Sequence, residues 1–287
     1  MNYQDIAQLI QMALSQGKKV WEVVLDCEAE NQGCTRSQIM DRMRERWRVM
    51  RESMAIVGAR RSMGGLVGGE ASLLQSGDGR LFVGPLLVTV MTRALAVAEA
   101  NACMERIVAA PTAGSCGIIP GALSAVAERM GATEEQVLQA LFTASGIGIV
   151  LASNASISGA EGGCQAECGS AAAMAAAGVV ELVGGDPQQI AEAAALALKN
   201  QLGLVCDPVG GLVEVPCVKR NAFTAVHAVV AAQMAVVGIK SVIPVDEVIS
   251  AMHQIGKAMP QELKETAEGG LAATPTARRL ANLESER

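Results

Sequence analysis

Apolar residues recur at helical spacing through most of the chain, and the breaks between the runs carry helix start signals. Thr35-x-x-Gln38 and Thr133-x-x-Gln136 are capping boxes, in which hydroxyl and amide side chains satisfy free N–H groups of a first turn. The first opens an Arg-rich helix to about Gly58, the second an apolar helix ending near Gly148 to Ala152. Asp186 before Pro187 predicts an N-cap and first-turn proline, with a helix to about Gln201. Asp246-Glu247 after Pro244 opens another, to about Met259. Periodicity places further helices at 4–16, 85–108, 119–130, 167–183 and 218–238. The strict alternation of a half-buried strand is scarce, so the pattern predicts an all-α, multi-helix fold.

Five glycine-rich loops interrupt the helices: Ser62-Met-Gly-Gly-Leu-Val-Gly-Gly69, Ser76-Gly-Asp-Gly79, Pro111-Thr-Ala-Gly-Ser-Cys-Gly117, Ser158-Gly-Ala-Glu-Gly-Gly163 and Cys206-Asp-Pro-Val-Gly-Gly211. Each alone reads as a turn. Five of them bordering apolar helices suggest a shared site, since glycine lets backbone approach a ligand and helix N-termini offer free N–H donors. No nucleotide phosphate-loop motif is present.

Composition narrows the core. Hydrophobic residues make up 51% of 287, but only six residues are aromatic against 48 alanines. Such a core rests on small side chains and close helix contacts, unlike the aromatic-rich β-sandwich. A net charge of −6 argues against an electrostatic nucleic-acid binder. The longest apolar run, Ala225–Ile239, is interrupted by His227 and Gln233 and falls short of the ~20 residues of a membrane span. The start lacks the pattern of a secretory signal, so a cytoplasmic location is expected. Residues 1–55 form a helical N-terminal segment with both tryptophans and Asp41-Arg-x-Arg-Glu-Arg-Trp-Arg48. That run reads either as a solvated, ion-paired helix or as a docking surface. Residues 56–276 form the main domain and 277–287 a tail; the last 20 residues read as loosely ordered.

In a reducing compartment the eight cysteines read as core residues, metal ligands or catalytic groups rather than disulfides. Cys164, Cys168, Cys206 and Cys217 stand out beside the glycine loops and predicted helix starts. Their spacing lacks the paired Cys-x2–4-Cys of structural zinc, and a ferredoxin-type run is absent. Cys27, Cys34, Cys103 and Cys116 read as structural.

Three stretches carry a family resemblance: Gly-Ala-Glu-Gly-Gly-Cys164-Gln-Ala-Glu, Cys206-Asp-Pro-Val-Gly-Gly-Leu-Val-Glu-Val-Pro-Cys217 and Gly-Gly-Leu-Ala-Ala-Thr-Pro-Thr276. They resemble the iron–sulfur-dependent L-serine dehydratases, and the chain is most similar to their separate α subunit. The resemblance implies an all-helical catalytic domain with a [4Fe–4S] cluster on Cys164, Cys206 and Cys217, leaving one iron open. It also implies a separate β subunit, an α/β regulatory chain, and hence a hetero-oligomer. The implied reaction removes an α-proton and hydroxide from L-serine, the open iron serving as a Lewis acid on the hydroxyl. The aminoacrylate product tautomerises and hydrolyses to pyruvate and ammonia. None of the lysines carries a pyridoxal-phosphate signature.

By the same resemblance, Ser62, Met63, Gly64 and Gly65 together with Thr112, Gly114 and Ser115 are the substrate-facing loops. Arg220 offers a bidentate carboxylate clamp or a surface residue at a helix start. Asn154 and Ser156 fit either pocket lining or helix capping. Lys219 and His227 are the candidates for proton transfer, although a lone histidine on an Ala/Val helix fits the core as well. The partner chain is an alternative source of the base. Cys168 stands where the family usually has a small aliphatic residue, and is either a competing ligand or inert. The chain ends in Leu-Glu-Ser-Glu-Arg without the cysteine-bearing tail of some relatives, so self-inhibition by such a tail is not expected. Two other functions fit the motifs: a related cluster-dependent lyase acting on cysteine or another small amino acid, and a redox or electron-transfer subunit.

Overall fold

The computed structural model describes residues 3–55, 61–77 and 80–285, with side chains to residue 281. The predicted helix end near Gly58 and the loop positions Asp78 and Gly79 lie outside the described residues. The elements are α1 (Ile6–Gln16), α2 (Val20–Gln32), α3 (Arg36–Met54), α4 (Glu70–Gln75), α5 (Pro85–Ala102), α6 (Ile118–Met130), α7 (Glu134–Asn154), α8 (Gly159–Gly162), α9 (Ser170–Leu182), α10 (Pro187–Lys199), α11 (Cys217–Val236), α12 (Val245–Ala258) and α13 (Pro275–Ser285). Among the described residues no strand forms; a lone parallel bridge joins Cys206 to Lys264. The fold is all-α.

Helix α9 is the axis of the molecule. Every one of its residues is buried, and it packs against α6, α7, α10 and α11. Its Ala-rich sequence makes this possible, because side chains of one carbon let four helices converge on one. Helix α7 is long and apolar enough to cross a bilayer, but 61% of its most apolar window is buried, chiefly against α9 and α2. It is a core helix.

Several elements depart from the sequence pattern for identifiable reasons. Helix α7 runs through Gly146 and Gly148 to Asn154 because both glycines are contact points: a Cβ would lie 2.5 Å from Val24 Cγ2 at the first and 2.7 Å from Met174 Cε at the second. Helix α5 stops at Ala102 rather than 108, where the chain turns through left-handed backbone at Met104, φ +60°. Helix α2 has no Ser, Thr, Asp or Asn cap; instead the Glu22 carboxylate reaches back to the Lys19 N–H at 2.9 Å. The expected loose tail is a helix, α13, because Thr274 Oγ1 accepts the Ala277 N–H and Ala277 is buried. Helices α1 to α3 share the main core through Ile6, Leu9, Val24 and Trp47. With Trp47 buried, the arginines of α3 point outward into ion pairs, Arg48 with Glu45 at 2.6 Å and Arg51 with Glu134 at 3.2 Å.

Beneath α4, the buried Glu99 accepts the Ala71 N–H at 3.0 Å, while Glu70 accepts the Gly68 N–H and pairs with Lys219. Burial, reinforced by the adjacent Glu70 carboxylate, pushes the Glu99 carboxyl up to about 7. A carboxyl whose folded pKa exceeds the ~4.3 of the open chain stabilises the fold fully only below the latter value, and that stabilisation fades as pH rises through 7. Glu99→Gln keeps the acceptor and removes the buried charge. It should match the native chain at pH 4 and exceed it by about 1–2 kcal/mol at pH 9, in urea midpoints, with allowance for screening.

Candidate metal centre

Three segments converge at the N-terminal end of α9, each locked by buried polar groups. Cys164 precedes a π-helical turn, Gln165–Gly169, that feeds directly into α9. Gln165 is fully buried: its N–H donates to the Leu204 carbonyl (2.9 Å), its Nε2 to the Met252 carbonyl (3.1 Å), and its Oε1 accepts the Gly203 N–H (2.9 Å). One side chain thus ties the Cys164 turn to the segment entering Cys206. Cys206 is itself pinned on both sides, its N–H donating to Leu263 (2.9 Å) and its carbonyl accepting from Glu265 (2.8 Å). Cys217 opens α11, where Asn221 Nδ2 donates to the Cys217 carbonyl (2.9 Å) and the Gly114 carbonyl (2.7 Å), while its Oδ1 accepts the Gly117 N–H (2.9 Å). Fully satisfied buried networks of this kind rigidify what they hold.

The sulfurs of Cys164 and Cys206 and a carboxylate oxygen of Glu167 lie within 4.8 Å of one another. Cys168 Sγ is 3.7 Å from Cys164 Sγ and wholly enclosed. Cys217 is buried nearby, outside that three-donor group. Cys164 is held well below the usual thiol range by hydrogen bonds from the Cys168 and Cys206 thiols and by the Arg220 charge, which together outweigh burial. Cys168 and Cys206 are pushed up in turn by that thiolate and by burial, and burial pushes Cys217 up to about 12. Glu167 is pushed up to about 7 by burial, then by the Cys164 thiolate, against the hydrogen bond from Thr112.

Arg220 serves this group from behind. Its Nη1 donates to the Val205 carbonyl (2.9 Å) and its Nη2 to Asp207 Oδ1 (2.9 Å). Asp207 Oδ2 accepts the Leu271 N–H (2.8 Å), joining the C-terminal segment to the site. The clamp expected of Arg220 toward a substrate carboxylate is therefore spent, in this structure, on Asp207 and Val205.

Of the substrate-facing candidates, the 111–117 loop reaches the cysteines. Thr112 Oγ1 donates to Glu167 Oε1 (2.7 Å), Ser115 is buried against Thr112 (3.1 Å), and Gly114 leaves room for the carboxylate, whose Oε1 would be 3.3 Å from a Cβ there. The 62–65 loop is folded on itself. Ser62 Oγ accepts the Val67 N–H, Gly65 is left-handed at φ +72°, and Met63 is exposed. The Gly64 and Leu66 N–H groups donate to the buried Glu214 carboxylate (2.7 and 3.1 Å), three residues before Cys217.

Other candidates point elsewhere. Asn154 Nδ2 donates to the Gln4 carbonyl at the surface (2.8 Å). Ser156 accepts the Ser158 N–H and lines a cavity of about 120 Å³ with Gln165 and Met252. His227 Nε2 donates to the Ala197 carbonyl (2.9 Å), a core role, and Lys219 pairs with Glu70.

Sequence reasoning missed Glu167, Gln165, Asp207 and Asn221 as site residues. The signal for Glu167 was its place three residues after Cys164 in a helical run, which puts both on one face. Gly159 carries a related signal: a Cβ there would lie 2.8 Å from Glu167 Oε2 and 3.1 Å from Cys206 Sγ. Chemically, a buried set of thiols with one carboxylate is a soft donor set, suited to iron–sulfur chemistry or zinc. Cys164, Cys206 and the adjacent Cys168 offer thiols of the type an iron–sulfur cluster takes, and the zinc spacing is absent.

Residues 15–272 match the family model described as serine dehydratase alpha chain. A probable L-serine dehydratase alpha chain of Bacillus subtilis is 50% identical over 282 residues, spanning 97% of this chain and 94% of the relative. The L-serine dehydratase alpha chain of Peptoniphilus asaccharolyticus is 39% identical over 279 residues, spanning 95% of each. An L-serine dehydratase of Streptomyces coelicolor is 40% identical over 275 residues, spanning 92% of this chain but only 59% of the relative.

Proposed function

Because the chain belongs to the serine dehydratase alpha-chain family, we propose that it deaminates L-serine to pyruvate and ammonia as the catalytic chain of a two-chain, cytoplasmic enzyme. The observation that carries this reading is the convergence of Cys164, Cys206 and Glu167 at one buried point, with the buried Cys217 in electrostatic reach of Cys164. Cys164, Cys206 and Cys217 would hold a [4Fe–4S] cluster, which when bound supplies a Lewis acid toward the serine hydroxyl. The alpha-chain names of the Bacillus and Peptoniphilus relatives support a partner β chain.

The chain's own residues do the rest. Gln165, Asn221 and the 263–265 segment fix the cysteine backbones, so binding the group costs little further ordering. Arg220, backed by Asp207, favours the thiolate form of Cys164 that a metal requires. Cys217 and Cys206, both raised, must lose protons on loading, so loading should release protons and proceed faster at alkaline pH. The Thr112 hydroxyl donates to Glu167, and the 111–117 loop borders the carboxylate on the side where we place the substrate.

One observation favours a second reading. Cys168, 3.7 Å from Cys164, offers a fourth thiol and hence a closed, electron-transfer cluster. The test is anaerobic co-purification with the β chain, iron and sulfide analysis, and a pyruvate assay with L-serine. About four irons with pyruvate formation supports the lyase. Iron without pyruvate, restored by Cys168→Val, supports the closed cluster.

A further inference from the structure

We infer that Glu167 is the residue that recognises the ammonium group of the substrate. The inference rests on the reading that the substrate is a β-hydroxy amino acid, and it assigns a partner to the ammonium group, which that reading leaves unassigned.

The carboxylate of Glu167 is placed as a receptor for a cation. Its Oε1 is oriented by the Thr112 hydroxyl at 2.7 Å, which leaves Oε2 facing Gly159 and Cys206 Sγ with no hydrogen bond among the described residues. No lysine or arginine pairs with it among the described residues, whereas the neighbouring arginine, Arg220, is already matched by Asp207. The centre therefore presents a carboxylate without a cation of its own, the neighbouring arginine being engaged by Asp207 and Cys164. A free amino acid brings three functional groups to such a site. Its hydroxyl and carboxylate are oxygen donors suited to a Lewis acid, and its ammonium is suited to a carboxylate. Glu167 lies next to the sulfurs of Cys164 and Cys206, within 4.8 Å, so one small molecule can touch both.

Glycine backbone borders the carboxylate on both sides. Gly114 and Gly159 flank the carboxylate, and a methyl group at Gly159 would press on Oε2 at 2.8 Å. A side chain at either position would crowd the carboxylate that the ammonium is to meet. Glu167 is only partly exposed, so water competes weakly for the contact.

The test compares L-serine with L-glycerate, which carries a hydroxyl in place of the ammonium. The cluster-loaded chain with its β chain is used throughout. In Glu167→Gln, iron and sulfide content should stay at the native level, KM for L-serine should rise about 10- to 100-fold, and the calorimetric Kd of L-glycerate should change less than about threefold. Glu167→Asp, which keeps the charge, should recover part of the loss. Thr112→Val, which frees the carboxylate to wander, should raise KM for serine about threefold to tenfold with glycerate binding unchanged. If serine and glycerate weaken together, or iron is lost from both Glu167 variants, the carboxylate serves the metal or the fold and the inference is overturned. If the native enzyme forms no pyruvate from L-serine but binds iron, the underlying reading fails, and this one with it.

Discussion

Cys206→Ser loses the iron and the lyase activity together. The expectation follows from how tightly that thiol is placed. Its backbone is bonded on both sides to 263–265, its sulfur lies with Cys164 and Glu167 inside 4.8 Å, and even a Cβ on Gly159 would come within 3.1 Å of it. A serine hydroxyl is a hard, weakly acidic donor and holds iron poorly where thiolate holds it well. The brown absorbance should disappear, and kcat/KM for L-serine should fall by at least about 10³, the scale of a lost Lewis acid. Cys27→Ser and Cys34→Ser, on and beyond α2, should keep native iron content. Native iron in Cys206→Ser would remove Cys206 from the ligand set and the proposed centre with it.

Much of this arrangement was legible in the sequence. The capping boxes at Thr35 and Thr133 and the N-cap at Asp186 gave helix starts that the structure keeps, because a cap is a local bond between residues three apart. Helix ends were less legible. Gly146 and Gly148 look like terminators locally, and only the approach of Val24 and Met174 shows that they are contacts. Helix α13 was signalled by Thr274-Pro275 but hidden by the neighbouring glycines. In the site, the cysteines announced themselves by residue type. Gln165, Asn221, Asp207 and Glu214 did not, since amides and carboxylates are common everywhere and their role depends on partners far along the chain, such as Met252 for Gln165 and Gly64 for Glu214. Arg220 shows the same limit in reverse. A free guanidinium at a helix start is a plausible substrate clamp until Asp207, thirteen residues earlier, is seen to hold it.

That ion pair sets the second large effect. Asp207→Ala should destabilise the chain by about 3–5 kcal/mol, the usual cost of stranding one member of a buried charge pair. The side chains of Arg220 and Asp207 are only 16% and 4% exposed, so water cannot replace the lost carboxylate. The same substitution frees the Leu271 N–H and loosens the turn before α13. Asp207→Asn, which keeps acceptor oxygen but no charge, should cost less. Arg220→Met in the Asp207→Ala background removes the stranded cation, and stability should recover by about 1–3 kcal/mol. Iron loading should not recover with it, because the double variant has also lost the cation that favours the Cys164 thiolate. Urea midpoints and iron content, measured on the same reduced samples, separate the two roles. A loss under about 1 kcal/mol in Asp207→Ala would mean that Arg220 finds solvent or another anion, and the Asp207–Arg220 pair would no longer explain how the thiolate is held.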